Sequence, residues 1–265
     1  MSSDFKNKLA LVTASTKGIG FSIANELLAN GAKVIMCGSK SRNIRDASKI
    51  IKNLYDKNSY LIIKCDISKE IEVLKMIKLI NNKFNKPVEI LVNSSGGPKV
   101  KNIIQTSYDE WKQAINSNLL STILVTKLIL PQMIKNKWGR IINLTSLTAK
   151  EPAKSMSLSN VTRAGVVAFG KTLSKELNGS GITVNNILTG AVMTERFNNL
   201  LNIRSKANNI KSSVMLKKII KDIPSGYIAS PDEFAKIILF LCSKEANYLN
   251  GVALNIDGGV ASSNF

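Results

Sequence analysis

The sequence contains no histidine and only three cysteines. Histidine is the commonest metal ligand and the side chain that most often acts as a general base near neutral pH, so its absence excludes both uses. The cysteines, Cys37, Cys65 and Cys242, lie far apart, each within or beside an apolar segment, and no two of them form a CxxC pair. We therefore predict reduced core thiols and no metal site.

Long apolar runs are also absent from the sequence. The most apolar stretch, LLSTILVTKLIL, is interrupted by Lys127, whereas a helix that spans a membrane needs about 20 consecutive apolar residues. The first eight residues, Met1–Lys8, are polar and charged and lack the apolar core of a signal peptide. We therefore expect a cytoplasmic protein without a membrane segment, and its 265 residues favour a single domain, 1–265.

Acidic residues are scarce: 18 Asp and Glu stand against 37 Lys and Arg, which gives a formal net charge of +19. Clustered cations would indicate nucleic-acid binding, because they neutralise phosphates. However, the lysines are spread along nearly the whole chain, and no nucleic-acid-binding motif is recognisable. We favour a general enrichment in lysine, of the kind found in chains encoded by AT-rich genomes, over a nucleic-acid partner.

A short apolar run near the start, Leu9–Val12, suits a buried strand, and the glycine-bearing segment 13–20 follows it. Apolar residues then recur at helical spacing as far as Asn30-Gly31. A strand, a glycine turn and a helix in this order direct free backbone N–H groups and the positive end of a helix dipole at one point. The segment therefore predicts a phosphate site, although glycines that serve only packing would give the same pattern.

Further apolar runs alternate with amphipathic helical patterns, and no hairpin signal separates them. This alternation predicts an α/β fold, a Rossmann-type doubly wound parallel sheet with helices on both faces. The predicted strands after the first are 33–37, 60–64, 89–92 and 140–144, and the clearest predicted helices are 44–54, 71–84 and 234–241.

The end of the second predicted strand lacks an acidic residue. In a dinucleotide fold, an acid at this place accepts a hydrogen bond from the ribose 2′-hydroxyl of NAD. Ser39, Lys40 and Arg42, together with Lys17, instead offer a hydroxyl and cations that suit a 2′-phosphate. We therefore predict NADP(H) in preference to NAD, the alternative being that Lys40 and Arg42 are merely solvated.

Two later strand ends also carry candidate ligand contacts. Asp66, after the third predicted strand, could face an adenine amino group, or it could cap a helix that begins near Ser68. The small residues 93–98, after the fourth strand, would let a ligand approach the backbone closely.

Together, these features resemble the short-chain dehydrogenase/reductase family over essentially the whole chain. The motifs occur in the family's order: the glycine loop at 13–20, the NNAG strand end at 93–96, the helix-borne asparagine at Asn118, the PG motif at Thr189-Gly190, and the C-terminal DGG at 257–259. The resemblance implies that the cofactor is bound by Thr13, Ser15, Thr16, Lys17, Gly18, Ile19, Gly20, Ser39, Lys40, Arg42, Asp66, Ile67, Asn93, Ser94, Ser95, Gly96, Arg163, Thr189, Gly190, Val192 and Thr194.

Three of the motifs depart from the family's pattern. Ala14 replaces the first glycine of the loop, which is acceptable if the φ angle of Ala14 is negative. Ser94-Ser95 replaces Asn-Ala, and Thr189 replaces a proline.

The largest departure lies at the implied catalytic positions. Asn118 and Ser146 match the family, but its YxxxK motif corresponds to SNVTR, with Ser159 for the tyrosine and Arg163 for the lysine. In the family the tyrosine exchanges a proton with the substrate, and an aliphatic hydroxyl is a far weaker acid than a phenol, whose pKa is near 10. Arg163 can still donate to the nicotinamide ribose. The proton-exchanging role of the tyrosine therefore cannot be assigned to Ser159 on the basis of the resemblance.

Three functions are compatible with this replacement. The chain could be a reductase in which Lys150, if its pKa is lowered by desolvation, or a water relayed through Ser159 donates the proton. A merely solvated Lys150 is the simpler interpretation of that residue. Alternatively, it could be an NADP(H)-binding sensor or inactive oligomer partner, or an enzyme whose reaction is no longer carbonyl reduction. The family includes a divergent subset that resembles SNxxR, which favours an NADP(H)-dependent oxidoreductase acting on a carbonyl or alcohol, with a 3-oxoacyl thioester as one candidate substrate.

The resemblance also implies a substrate-covering lid and an oligomer. Residues 196–221 of the lid segment 194–224 carry seven Lys or Arg and no acid, which would favour an anionic substrate such as an acyl carrier or coenzyme A thioester, unless lysine enrichment alone explains them. In the family, two helices and the C-terminal strand form interfaces, so we expect a homotetramer or homodimer, although core packing would produce the same apolar faces.

Overall fold

The computed structural model describes residues 5–264, so Met1–Asp4 and Phe265 lie outside the described part of the chain. Seven strands form one sheet, in the order β3-β2-β1-β4-β5-β6-β7, and every neighbouring pair is parallel. The predicted doubly wound α/β sheet is confirmed. The strands are β1 (Leu9–Val12), β2 (Lys33–Gly38), β3 (Tyr60–Lys64), β4 (Ile90–Asn93), β5 (Gly139–Leu144), β6 (Ile182–Thr189) and β7 (Ala253–Ile256).

Helices cover both faces of the sheet, because the strands are apolar on both sides. One core cluster packs α1 and α9 on the sheet, and a second packs α3, α5 and α6 on the opposite face. The helices are α1 (Gly18–Ala29), α2 (Ser41–Leu54), α3 (Glu70–Phe84), α4 (Tyr108–Ala114), α5 (Ser121–Lys135), α6 (Ser157–Glu176), α7 (Glu195–Ala207), α8 (Ser212–Lys221) and α9 (Pro231–Cys242).

A π-helical turn, Ile115–Leu120, joins α4 to α5 in one continuous helical run. By length and composition alone, the run Tyr108–Lys135, whose mean hydropathy reaches 1.3, could cross a membrane. The prediction from the sequence concerned an uninterrupted apolar run, and Lys127 interrupts this helix. The same composition is found in core helices, and Val125, Ile129 and Met133 of α5 are buried in the second core cluster.

The predicted lid segment, 194–224, contains α7 and α8. Their apolar side chains form a third, smaller cluster that includes Phe197, Leu201 and Ile223. These residues pack on one another and on the loop before α9, which explains how a segment rich in lysine folds. That the segment covers a substrate stays a prediction, as does the single domain.

A ladder of buried amides crosses the centre of the sheet. Asn93, Asn143 and Asn186 are in register on β4, β5 and β6. Asn93 Nδ2 donates to Asn143 Oδ1 over 2.9 Å, and Asn143 Nδ2 donates to Asn186 Oδ1 over 3.0 Å. Gly170 of α6 lies directly on the ladder, where a Cβ atom would collide with Asn186 Oδ1 and come within 2.9 Å of Asn143 Nδ2. The missing side chain thus sets how closely α6 approaches the sheet.

We expect Gly170→Ala to lower the free energy of unfolding by about 1–3 kcal/mol, because an overpacked core must shift. The matched control is Gly165→Ala in the same helix, where the new Cβ would meet only the side chain of Leu119, at 3.0 Å. A flexible leucine can move, and alanine favours the helix by up to about 1 kcal/mol, so the control should change stability little. Urea denaturation measures both, and equal losses would contradict the proposed close contact.

Candidate active site

The carboxyl ends of β1 to β4 surround a cleft of about 300 Å³. In a parallel sheet, ligands bind at this edge, where the strand order reverses. Ala14, Gly38 and Cys65 contribute to the wall. The lining also includes the predicted cofactor residues Ser39, Asp66, Ile67, Ser95 and Gly96.

Two buried hydroxyls tie the glycine loop to the neighbouring strands. Thr13 Oγ1 donates to Ser94 O over 2.6 Å and accepts from Ser94 N over 2.8 Å. Ser15 Oγ donates to Val12 O over 2.7 Å and accepts from Cys37 N over 3.1 Å. The side chains of Thr13 and Ser15 therefore hold the loop in shape. The side chain of Asn93, a third predicted cofactor residue, is likewise engaged within the protein, in the amide ladder.

The loop packs tightly against the start of α1 and the end of β2, and it leaves the first N–H groups of α1 uncapped. A Cβ atom at Gly20 would lie 2.8 Å from Ala14 O, and one at Gly38 would lie 2.5 Å from Thr16 Oγ1. Lys17 precedes the helix without a side-chain cap, and within the described residues no acid lies in the first turn. The first N–H groups of α1 are therefore available to an anion.

Ala14 has a φ angle of +46°, so the condition under which alanine would be acceptable here, a negative φ, is not met. The turn must bring the next residue, Ser15, back to β2, where Ser15 N donates to Cys37 O over 2.9 Å. For an L-residue, the left-handed conformation costs about 1–2 kcal/mol. Ala14 therefore adopts the backbone shape for which the family's pattern has glycine.

Lys17 forms an ion pair with Glu195, the first residue of α7, at 2.7 Å. Lys17 lowers the pKa of Glu195, and Lys40 and Arg42 lower it further by their charge. The three cations therefore surround one acid, which sequence reasoning missed although it directly follows the predicted residue Thr194. Arg42 also forms an ion pair within α2, in which Arg42 Nε lies 4.0 Å from Asp46 Oδ2.

The capping interpretation of Asp66 is wrong, because α3 begins at Glu70 and its N-cap is Lys69. Asp66 Oδ1 instead accepts from Ser68 N over 3.1 Å and from Ser68 Oγ over 2.7 Å, which closes a local turn. This turn leaves Asp66 on the wall of the cleft, as the adenine interpretation requires.

The segment after β6 brings α7 next to the glycine loop. Gly190 packs on the C-terminal turn, where a Cβ would lie 2.6 Å from Asp257 Cα, and Val192 is buried. Thr194 Oγ1 accepts from Phe197 N over 3.2 Å and so caps α7. Its methyl group would lie 3.6 Å from a Cβ at Gly18. Thr194 thus brings the start of α7 next to Gly18, the first residue of α1.

Asn118, Ser95 and Arg163 form one hydrogen-bonded cluster. Asn118, in the π-helical turn, is fully buried. Ser95 Oγ donates to Asn118 Oδ1 over 3.1 Å and accepts from Arg163 Nη1 over 3.0 Å, and Arg163 Nη1 also donates to Leu144 O over 3.1 Å. Burial and the charge of Arg196 lower the pKa of Arg163 to about 10, so its guanidinium still carries a charge at neutral pH.

Ser146 and Ser159 are joined by a third hydroxyl. Ser146 Oγ accepts from Thr148 N over 3.2 Å and from Thr148 Oγ1 over 3.1 Å, and Thr148 Oγ1 lies 3.2 Å from Ser159 Oγ. Sequence reasoning missed Thr148, because only the short helical turn Leu147–Ala149 brings it back over Ser146. Lys150 is half-buried, and within residues 5–264 its ammonium has no hydrogen-bond or ion-pair partner.

The three cysteines are buried and free. Burial raises the pKa of Cys37 to about 11 and those of Cys65 and Cys242 to about 12, so the reactive thiolate forms are suppressed at neutral pH. Among residues 5–264, no group of three or more Cys, Asp or Glu side chains is arranged to hold a metal ion.

Comparison with known proteins identifies the family. A family model described as enoyl-(acyl carrier protein) reductase matches residues 13–261. The chain belongs to the short-chain dehydrogenase/reductase family. It is 31% identical over 255 residues to the 3-oxoacyl-[acyl-carrier-protein] reductase FabG of Aquifex aeolicus, covering 96% of this chain and 98% of that protein. It is 29% identical to the uncharacterized oxidoreductase YvrD of Bacillus subtilis over 267 residues, covering 99% and 100% of the two chains.

Solved structures of other short-chain dehydrogenases/reductases share this architecture. The L-sorbose reductase from Gluconobacter frateurii, complexed with NADPH and L-sorbose, superposes with a TM-score of 0.92 at 26% identity and covers 99% of this chain and 100% of that one. An actinorhodin polyketide ketoreductase with NADPH also gives a TM-score of 0.92 at 26% identity, covering 99% of each chain.

In this short-chain dehydrogenase/reductase, Ala14→Gly should raise the free energy of unfolding by up to about 1 kcal/mol. Relief of about 1–2 kcal/mol of left-handed strain exceeds the added entropy of the unfolded chain, about 0.4–1 kcal/mol. The control, Ala29→Gly at the exposed end of α1, should lose about 0.5–1 kcal/mol. Chemical denaturation of both variants provides the measurement, and a loss at position 14 as large as at position 29 would argue against strain.

Proposed function

We propose that the chain is an NADP(H)-dependent oxidoreductase that acts on a carbonyl or alcohol group, with a 3-oxoacyl thioester as the first substrate class to test. The observation that carries this proposal is that both hydrogen-bonded clusters lie at the carboxyl edge of the sheet, where Ser95 of the first cluster lines the cleft. Relatives named 3-oxoacyl-[acyl-carrier-protein] reductase and structures solved with NADPH support it.

The cleft suits a phosphate-bearing dinucleotide. The glycines 20 and 38 let α1 and β2 pack closely on the loop that precedes α1, and the start of α1 offers uncapped N–H groups to a pyrophosphate. Ser39, Lys40 and Arg42 would hold a 2′-phosphate, since no acid follows β2 in the sequence and Glu195, the acid that α7 brings near these cations, is paired with Lys17. When bound, NADPH supplies the hydride.

The chain's own residues must bind the substrate oxygen and deliver a proton to it. The hydroxyl of Ser146, which accepts from Thr148 and keeps its own proton, is positioned to donate a hydrogen bond to a carbonyl oxygen, and the buried charge of Arg163 would stabilise negative charge that develops there. Reduction would place negative charge on the carbonyl oxygen, which the chain's own residues would then have to neutralise with a proton. Thr148 Oγ1 donates to Ser146 Oγ, so Ser159 Oγ must donate to Thr148 Oγ1. We infer that the proton passes from Ser159 through Thr148 to Ser146 and on to the substrate oxygen, and that a solvent water returns a proton to Ser159.

An NADP(H)-binding sensor or inactive oligomer partner is the second candidate, because Ser159 stands where the family has its phenolic acid. Titration with NADPH and NADH, followed by a screen of ketones, aldehydes and acyl thioesters, separates the two. Tight NADPH binding without turnover would favour the sensor. Binding of nucleic acid with steep salt dependence, and of no dinucleotide, would overturn both.

We also propose that α7 and α8 cover the substrate and that the chain forms a homotetramer or homodimer. Arg196 Nη2 donates to Pro98 O over 2.7 Å, which holds the start of α7 against the loop after β4. For the oligomer, the resemblance assigns α6 and the helical run that contains α5 to an interface. Leu120, just before α5, is 48% exposed, and Val161 of α6 is 56% exposed.

Arg42→Ala should weaken NADPH binding about tenfold and leave NADH binding unchanged. A charge-assisted hydrogen bond is worth about 1.5–3 kcal/mol, and tenfold corresponds to about 1.4 kcal/mol. Lys49→Ala, an exposed cation further along α2, is the matched control and should affect neither. Fluorescence titration gives the dissociation constants. Equal losses for both cofactors would contradict a 2′-phosphate contact.

Thr148→Val should lower kcat about 10–100-fold, because it removes the hydroxyl between Ser146 and Ser159, whereas Thr148→Ser should retain most activity. Lys150→Met tests the competing donor and should also retain most activity. Steady-state kinetics with the best substrate from the screen measures all three. An inactive Lys150→Met enzyme beside an active Thr148→Val enzyme would assign the proton to Lys150 instead.

A further inference from the structure

The side chain of Ser95 joins two elements of the candidate site that are far apart in sequence. Its hydroxyl lies between Asn118 of the π-helical turn and Arg163 of α6, and it also lines the cleft. We propose that Ser95 is a positioning residue for Arg163, and that the two form a matched pair in place of the alanine and lysine of the family's pattern. This inference rests on the proposed oxidoreductase function.

The direction of each hydrogen bond in this cluster is fixed. Asn118 Nδ2 donates to Ala114 O over 3.1 Å and to Ser117 Oγ over 2.9 Å. Asn118 Oδ1 must therefore accept, and Ser95 Oγ must donate to it. A hydroxyl has one proton, so the same oxygen can only accept from Arg163 Nη1. The buried amide of Asn118 thus orients the Ser95 lone pair towards the guanidinium.

The contacts of Arg163 leave part of its guanidinium for a ligand. Nη1 donates to Ser95 Oγ and Leu144 O, and Nη2 donates to Ser95 O over 3.4 Å. A guanidinium has five N–H groups, so among the described residues these bonds leave Nε and one N–H of Nη2 unused. Ser95 and Leu144 anchor the Nη1 side of the planar guanidinium and thereby set the direction in which the two unused N–H groups point.

Ser95→Ala would remove the acceptor and leave a buried N–H of Arg163 without a partner. The guanidinium would then have to turn, and Arg196, whose charge already lowers the pKa of Arg163, would favour turning away from α7. A lysine at position 163 has no planar fork to orient, so it needs no acceptor at position 95. The two replacements therefore compensate for each other.

The first test compares Ser95→Ala with Ser180→Ala. The control hydroxyl also donates and accepts, to Leu177 O over 2.6 Å and from Ile182 N over 3.3 Å, but it lies at the opposite edge of the sheet. We expect Ser95→Ala to weaken NADPH binding and lower kcat each about tenfold, with a melting temperature no lower than that of the control. Wild-type NADPH affinity and kcat in Ser95→Ala would overturn the inference.

The second test completes a double-mutant cycle with Arg163→Lys. NADPH affinity is measured by fluorescence for the wild type, the two single variants and the double variant. The coupling between the two residues can therefore be calculated even if turnover is lost. We expect Ser95→Ala/Arg163→Lys to bind within about twofold of Arg163→Lys alone, because the pair acts as a unit. If the two losses multiply, the residues are independent and the pairing is wrong. A wild-type protein that neither binds NADPH nor turns over any substrate would instead overturn the proposed function itself.

Discussion

The distance between α6 and the sheet is the constraint on which the candidate site depends. Gly170 lets the helix lie on the buried amide ladder, and Asn186 Nδ2 also donates to Val167 O of the helix over 3.4 Å. The same helix carries Ser159 and Arg163, whereas Ser146 follows β5, whose Asn143 belongs to the ladder. One close contact in the core therefore sets the spacing of both hydrogen-bonded clusters at the edge.

Much of this arrangement could be predicted from the sequence, because it follows from periodicity and strand order. Once the apolar runs are parallel strands, their carboxyl ends must meet at one edge, so the strand-end residues 93–96 and 146 must lie near it. The helix-borne residues 118, 159 and 163 were placed there by the resemblance to the family. The predicted boundaries differ from the structure by a few residues, as for the second helix, which begins at Ser41 instead of about Ile44.

The features that sequence reasoning missed all depend on geometry that has no local pattern. The φ angle of Ala14 is imposed by the return of Ser15 to β2, and the Lys17–Glu195 ion pair joins residues 178 positions apart. Thr148 reaches Ser159 only because a short helical turn reverses the chain after Ser146. In each case the residue type was visible, but its partner was determined by the tertiary fold.

The absence of histidine has a consequence for how this site would respond to its surroundings. The clusters consist of hydroxyls, an amide and a guanidinium, and the pKa of that guanidinium, about 10, lies well above neutrality. None of these groups changes charge between mildly acidic and mildly alkaline conditions. The electrostatic field that these two clusters exert at the edge of the sheet would therefore stay constant across this range of pH.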